Sequence, residues 1–338
     1  MWCGTGDKPQ QMLSGNQGPV STLAFAGVPT LLFSGGWDRT VRTWMPDGRS
    51  EVFNGQTAPV TSIVDATGPS PNGNEWALIS ASQNGQVMVV TNGESRLTRT
   101  LQLPASVNSI AALGDRHFLL ACADGKLRKV DRDLQIVRET ELLDGPLTIV
   151  TVSPDGKTIA TAGMRTPVTL IDAASGEVKS RILGPGLPVW ALAFSPNSGE
   201  LYTGGADRAL RRFDVVTGKA NGGSIAPASK TELPEPKDRG AQVFRACLAC
   251  HGLTATDTNL AGPTLHGIMG RRIASAPGYT FSEPLKKLDI VWTPETIAKL
   301  FEVGPTLYTP GTKMPEQRVT DPEDRQALVD WLSRVTNP

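Results

Sequence analysis

The sequence is poor in residues that bind metals: its 338 residues include three histidines and four cysteines. Basic and acidic residues both number 33, and the lack of a basic excess disfavours a general nucleic-acid-binding function. No run approaches the ~20 apolar residues of a membrane helix, so we expect no transmembrane span. What the chain does contain, 39% hydrophobic and 20% charged residues, is typical of a globular protein.

Two of the cysteines lie close together and lead directly into a histidine. Cys247, Cys250 and His251 belong to the run Cys-Leu-Ala-Cys-His, which is the attachment pattern of c-type haem. Two thiols about one helical turn apart can each form a thioether with a vinyl group of one haem, and the next imidazole can bind its iron. A zinc ribbon would need a second cysteine pair, and a redox dithiol would need a βαβ context. The run therefore predicts one covalent haem c.

Five apolar segments recur in the first two thirds of the chain. They begin at Val20, Val60, Val107, Leu147 and Val189. A period near 40 residues with several short strands is typical of propeller blades, and about 215 residues at ~42 per blade predict five blades. Residues 10–13 are predicted to be an outer strand that completes the last blade, because ring closure removes exposed sheet edges. Further blades before the first residue are the alternative.

The turns of these units carry a repeated acidic residue. One reads Gly35-Gly36-Trp37-Asp38 and another Gly204-Gly205-Ala206-Asp207. With the period, this pattern resembles the WD-repeat propeller family across roughly residues 5–225. The resemblance implies that Asp38, Asp124 and Asp207 accept hydrogen bonds that lock the loops. Asn84 replaces the acid in the second unit, and Met164-Arg165-Thr166 stands at this place in the fourth.

The last hundred residues have a different pattern, with helical runs in place of short strands. Gly240 and Phe244 precede the two cysteines, Gly262–Gly267 follows them, and Tyr308–Met314 comes later. In these segments residues 238–338 resemble a class I cytochrome c of the mitochondrial and bacterial c2 type. The resemblance implies that the helix over Asp321–Val335 packs on Gly240 and Phe244.

These patterns together define the predicted fold and domains. The fold class is an all-β propeller of about five WD-like blades followed by an all-α cytochrome c domain. The predicted boundaries are a propeller over residues 1–220, a Pro- and Gly-rich linker over 221–237 and the cytochrome domain over 238–338.

His251 is the predicted fifth ligand of the iron, and few residues can be the sixth. Met314 lies in a loop bounded by Pro310 and Gly311 within the same domain, so it is the best candidate. Met269 is the alternative, although it is better explained as a core residue, and His117 lies in the propeller. A His/Met pair raises the reduction potential and leaves no open position, which predicts electron transfer instead of O₂ binding.

Further site residues are implied by the resemblance. Arg271 and Trp292 would hold haem propionates, Tyr279 would belong to the same cofactor-binding set, and His266 would orient the proximal side through its ring. Phe281 stands where the family often has a tyrosine. Three lysines could dock an acidic partner at the haem edge: Lys286, Lys287 and Lys313.

The predicted function is periplasmic electron transfer with the propeller as a docking platform. The electron donor would be a periplasmic redox enzyme, such as a molybdenum dehydrogenase, and the acceptor a cytochrome or an oxidase. One alternative is an oxidoreductase whose propeller holds a substrate or second cofactor, and another is a haem-based gas sensor. Residues 1–4 do not resemble a secretory segment, so we expect either a removed signal peptide or a different native start. Cys3 and Cys122 receive no role.

Overall fold

The structure is a computed structural model. It describes residues 12–26, 31–45, 47–67, 76–92, 98–114, 116–142, 145–164, 167–182, 188–206, 209–222, 234–235, 237–255, 262–314 and 317–336. The chain separates into two compact units, residues 1–142 with 150–152 and residues 143–149 with 153–338. Most of the predicted linker lies outside the described residues, and the domain boundaries drawn there stay a prediction. Cys3 and Asp207 also lie outside them.

Among its described residues the first unit contains three antiparallel sheets, each of four strands in chain order. The first sheet consists of β1 (Val20–Phe25), β2 (Leu32–Gly36), β3 (Val41–Trp44) and β4 (Ser50–Phe53). The second consists of β5 (Val60–Asp65), β6 (Ala77–Ser82), β7 (Gln86–Thr91) and β8 (Thr98–Gln102). The third consists of β9 (Val107–Leu113), β10 (His117–Cys122), β11 (Lys126–Asp131) and β12 (Ile136–Glu141).

The second unit contains two further sheets and the helices. The fourth sheet consists of β13 (Leu147–Val152), whose last three residues belong to the first unit, β14 (Thr158–Gly163), β15 (Val168–Asp172) and β16 (Val178–Ile182). The fifth consists of β17 (Val189–Phe194), β18 (Glu200–Gly205) and β19 (Leu210–Asp214). The helices are α1 (Arg239–Phe244), α2 (Glu283–Lys286), α3 (Pro294–Val303), α4 (Pro305–Tyr308) and α5 (Pro322–Val335).

The predicted fold class is confirmed, since a series of antiparallel sheets is followed by a helical region. One detail differs: Met12 and Leu13 form no strand, and residues 10 and 11 lie outside the described part. The fifth sheet accordingly has three strands among the described residues. None of the described helices is long and apolar enough to cross a membrane.

Burial differs between the strands of a sheet as expected for packed blades. In the third sheet five of the six residues of β10 are buried, whereas five of the six residues of β12 are exposed. A strand with neighbours on both faces must be apolar or hydrogen-bonded throughout, while an outermost strand meets water. In the first four sheets burial rises from the first strand to the second and falls again in the fourth, and this pattern recurs with the period near 40 residues.

The turn residues lock their loops as the WD-repeat resemblance implied. Asp38 accepts hydrogen bonds from the Gln17 N–H at 2.8 Å and from the Thr40 hydroxyl at 2.8 Å. Asp124 accepts two bonds from the buried Arg128 guanidinium, at 3.0 and 2.7 Å. These observations confirm the role of both acids, in which one side chain satisfies several loop donors at once.

The helical unit is centred on the contact of α1 with α5. A Cβ placed on Gly240 would meet the Ala327 carbonyl oxygen at 2.1 Å and the Trp331 Cβ at 2.5 Å, so only glycine allows this approach. The rings of Phe244 and Trp331 lie 4.9 Å apart. The prediction that the terminal helix packs on Gly240 and Phe244 is thereby confirmed.

Candidate functional site

The attachment segment directly follows α1. The Asp238 carboxylate caps this helix by accepting from the Gly240 N–H at 2.7 Å, and a single 3₁₀ turn, Cys247–Ala249, comes after it. The tight turn brings the His251 N–H to the Cys247 carbonyl, at 2.9 Å. Both cysteines and the histidine therefore face one volume, as attachment to a single haem requires.

The imidazole of His251 is held in the tautomer that an iron ligand needs. Its Nδ1 lies 2.8 Å from the Pro263 carbonyl oxygen. Since a carbonyl only accepts, Nδ1 carries the proton and Nε2 keeps its lone pair. Burial lowers the pKa of His251 below its usual value, and the bond to Pro263 only partly offsets this, so the ring is neutral.

The ring of His251 is also fixed by close packing. A Cβ on Gly262 would lie 2.6 Å from His251 Cε1 and 2.8 Å from Nδ1. A glycine at this place lets the backbone approach the ring, and Pro263 then presents its carbonyl. The orientation that sequence analysis assigned to His266 is thus supplied by Pro263. The main chain of His266 instead contacts Thr264 and Arg271.

A cavity of about 320 Å³ opens beside His251. All seven predicted site residues line it: Cys247, Cys250, His251, Arg271, Tyr279, Trp292 and Met314. Apolar side chains, among them Leu265, Ile268 and Phe301, form much of the remaining wall. Two thiols, a neutral imidazole and a thioether around an otherwise apolar cavity fit a covalently attached haem whose iron has two protein ligands.

Met314 is carried by a well-anchored loop. Its N–H donates to the Thr312 hydroxyl at 3.1 Å, and the Gly311 carbonyl accepts from the Ser282 hydroxyl at 2.7 Å. Gly311 has a φ of +85°, and a Cβ there would meet Pro284 at 2.5 Å, so this turn needs a glycine. The loop therefore fixes the position of Met314 on the cavity wall.

The alternative ligand, Met269, is partly buried, packs against the core of the helical unit and is not among the residues that line the cavity. Its sulfur accepts a weak hydrogen bond from the Ser333 hydroxyl at 3.9 Å. His117 begins β10 in the third sheet. The geometry thus favours Met314 over both, and its coordination stays a prediction.

The three residues expected near the propionates surround the cavity in different ways. Arg271 donates to the carbonyls of Thr264 and His266, both at 2.8 Å, and thereby fastens the loop beside Pro263. Trp292 contacts the same segment through its backbone N–H, which donates to the Arg271 carbonyl at 2.9 Å. The ring of Tyr279 packs edge-on against Phe281 at 4.8 Å. Their contacts with propionates stay a prediction.

Two features of the cavity were not predicted from the sequence. One is the Pro263 carbonyl, whose only signal was the Gly262-Pro263 pair. The other is the presence of Met164 and Trp190, from the fourth and fifth sheets, in the cavity wall. No motif marks these residues, and apolar side chains in a repeat are ordinarily explained as packing.

The comparisons with known proteins agree with this geometry. A family profile described as "Cytochrome c" matches residues 238–336, and one described as "WD domain, G-beta repeat" matches residues 7–45 and 176–214. A cytochrome c of Cochliobolus lunatus is 37% identical over 99 residues, which are 29% of this chain and 91% of the relative. A cytochrome c of Arabidopsis thaliana is 37% identical over 99 residues, 29% of this chain and 88% of the relative.

A bacterial relative is similar over the same region. Cytochrome c-554 of Methylosinus trichosporium is 41% identical over 95 residues, which are 28% of this chain and 71% of the relative. The segment with the cysteine pair, the neutral histidine and the methionine loop defines a haem protein of the electron-transfer class. The chain belongs to the cytochrome c family, carries covalently bound haem c and has WD repeats in its N-terminal part.

Proposed function

We propose that the chain is a periplasmic electron-transfer protein whose sheets dock a partner oxidoreductase. The partner, a periplasmic redox enzyme such as a molybdenum dehydrogenase, donates single electrons, and a cytochrome or an oxidase accepts them. Support for this location comes from covalent haem attachment, which in bacteria normally takes place outside the cytoplasm. Fractionation of cells that make the native protein tests it, with haem-stained protein expected in the periplasmic fraction and not in the cytosol.

The observation that carries the proposal is that His251 and Met314 line the same cavity. Haem c, when bound, supplies an iron that gains or loses one electron. His251 offers Nε2 because Pro263 holds the proton on Nδ1. Met314 offers a soft thioether, which favours the reduced iron. Were His251 and Met314 both to bind the iron, no position on it would be left for a substrate, and the haem would serve electron transfer alone.

Substitution of the methionine tests this function. In Met314→Ala, we expect the haem to stay attached and the reduction potential to fall, because a soft ligand of the reduced form is lost. The variant should bind carbon monoxide, and the unaltered protein should not. Met269→Ala, a change in the core methionine, is the control and should keep the potential. Carbon monoxide binding by the unaltered protein would favour the gas-sensor alternative.

A positive surface borders the cavity, and it supports docking of an acidic partner. Lys313 is exposed and lies in the cavity wall. Lys286 and Lys287 are exposed on and just after α2, whose Leu285 also lines the cavity, and Lys286 pairs with Glu283 at 2.7 Å. The three lysines outnumber this acid, and an excess of exposed positive charge beside a redox centre raises the rate of encounter with an acidic partner.

Charge reversal tests the docking. The rate of haem reduction by a periplasmic extract should fall at least several-fold in Lys286→Glu/Lys313→Glu and should lose its dependence on salt. Lys299→Glu, on the exposed face of α3 and paired with Glu302 at 2.9 Å, is the matched control. Equal rates in all proteins would contradict a role of these lysines in docking. A second chromophore in the purified protein, without any partner subunit, would favour the alternative that the sheets themselves hold a redox cofactor.

A further inference from the structure

The first strand of each sheet is called its inner strand here, and in the first, second and fourth sheets its second residue bonds to the next inner strand. In the first sheet the Ser21 hydroxyl donates to the Val60 carbonyl of the next inner strand, at 2.5 Å. In the fourth sheet the Thr148 hydroxyl donates to the Val189 carbonyl in the same manner, at 2.6 Å. The equivalent position of the fifth sheet is Trp190, a large aromatic residue where the other sheets have Ser, Thr or Asn.

A second shared feature is the residue that directly follows the second strand. Its N–H donates to the carbonyl that precedes the inner strand: Trp37 to Pro19, Gln83 to Pro59, Ala123 to Ser106, Met164 to Pro146 and Ala206 to Pro188, at 2.8–3.0 Å. Met164 makes this backbone bond like the others. Its exposure differs, because Met164 is 5% exposed whereas the other four are half-buried.

The residues Met164 and Trp190 line the haem cavity. Both belong to the second compact unit, which also contains His251 and Met314. From the helical part, Arg272–Ala276 and Lys313 line the same cavity. Two apolar side chains that the repeat pattern does not require therefore face the site where the haem binds.

We propose that Met164 and Trp190 form an apolar cover of the haem edge, by which the fourth and fifth sheets raise its reduction potential. The inference rests on the haem site alone and needs no partner enzyme. It assigns to the sheets an effect on the reduction potential of the haem, in addition to the docking of a partner.

The physical reason is the cost of burying charge. The oxidised iron carries one positive charge more than the reduced iron, so surroundings that exclude water disfavour the oxidised form. A methionine and an indole exclude water from the cavity mouth without adding charge. Their removal admits water, which stabilises the oxidised form and lowers the potential.

The experiment is a redox titration of the full-length haem-loaded protein with Trp190→Ala and, separately, Met164→Ala. At the midpoint potential of the unaltered protein, we expect the ratio of reduced to oxidised haem to fall about threefold or more in each variant. Hydrogen exchange of residues 272–276 should become faster, because the cover over this segment is lost. Trp190→Phe and Met164→Leu, which keep an apolar side chain, should restore both properties in large part.

Matched controls come from the equivalent positions in another sheet. Thr61→Ala changes the second residue of β5, and Gln83→Ala changes the residue that follows β6; both should leave the ratio and the exchange unchanged. If Trp190→Ala fails to fold, Met164→Ala carries the test. The proposal would be overturned if the ratio of reduced to oxidised haem were unchanged in the folded variants, or if it shifted equally in the controls. Neither result would bear on the docking of a partner.

Discussion

The sheets and the haem-binding region are stabilised in different ways. In the sheets one arrangement recurs, with a turn side chain that accepts several bonds and a small polar residue that joins successive inner strands. In the haem-binding region the contacts are individual: Gly240 meets α5, Gly262 meets the imidazole and Pro263 holds its proton. A change in the sheets therefore removes one of several similar contacts, whereas a change around the haem removes a contact that has no equivalent.

The largest expected difference concerns cysteines in the two regions. In Cys247→Ala/Cys250→Ala no thioether can form, so a haem-stained denaturing gel should show no covalent haem, and the mass should correspond to the bare chain. Cys122→Ala is the counterpart in the sheets. Its thiol is fully buried, and burial raises its pKa to about 11, which keeps it protonated and unreactive. This variant should keep its haem; haem loss from it would contradict the distinction between the regions.

The next effect concerns glycines. Gly240→Ala would place a Cβ 2.1 Å from the Ala327 carbonyl oxygen, and we expect the helical region to lose about 3 kcal/mol of unfolding free energy through overpacking. Gly204→Ala in β18 is the matched control, because its Cβ would meet the Ala191 Cβ at an ordinary 3.8 Å. Urea unfolding followed by haem absorbance and by circular dichroism measures both. Similar losses in the two variants would mean that the close approach of α1 and α5 is not the constraint.

A smaller effect is expected for the acidic turn of the third sheet. Asp124→Ala leaves the buried Arg128 with Glu139 as its remaining acidic partner, and we expect a loss of about 2 kcal/mol. Burial alone would raise the pKa of Asp124, but the bonds from Arg128 and Lys126 outweigh it, and the pKa lies below its usual value. Because its pKa is lower in the folded state, the ionised Asp124 carboxylate stabilises the folded protein at pH values above the unfolded pKa of about 3.9. This contribution is lost as the pH falls through the folded pKa.

The pH dependence gives the control for this variant. The unfolding free energies of Asp124→Ala and the unaltered protein should differ at pH 7 and converge below about pH 3.9. Asp133 lies in the turn between β11 and β12, and its ion pair with Arg99 is exposed to solvent. Because exposed ion pairs contribute little, Asp133→Ala should change the unfolding free energy only slightly at either pH. A difference that persists unchanged at low pH would show that the carboxylate charge is not the cause.

The smallest expected effect concerns the bond between inner strands. Thr148→Val keeps the shape of the side chain but removes the hydroxyl that donates to Val189, and we expect a loss of about 1 kcal/mol. Thr100→Val, at an exposed position of β8, is the control. Equal urea midpoints for Thr148→Val and the unaltered protein would show that this repeated bond does not stabilise the fold.

Motifs with a fixed offset could be predicted from the sequence, and contacts made by the backbone could not. Asp38 and Asp124 follow a glycine- or alanine-containing turn in each repeat, so their bonds were foreseeable. Cys247, Cys250 and His251 carry their chemistry in their spacing. Every residue has a backbone carbonyl, so the sequence does not identify that of Pro263 as the partner of His251.

The sheet residues in the cavity show a second limit. Met164 and Trp190 are far from the cysteines in sequence, and an apolar residue beside a strand is ordinarily part of a core. Their place in the cavity follows from tertiary packing alone. Arg271 shows a third limit, because the resemblance suggested a propionate partner while two backbone carbonyls also occupy its guanidinium.

The close contact of Gly240 with α5 has a consequence for the order in which the protein matures. In the folded unit α5 packs on α1, which directly precedes the attachment segment, and Trp331 lies against Phe244. In a chain that has not yet made this contact, Cys247 and Cys250 are accessible to a haem-loading enzyme. Haem attachment therefore meets the least obstruction before α5 packs on α1.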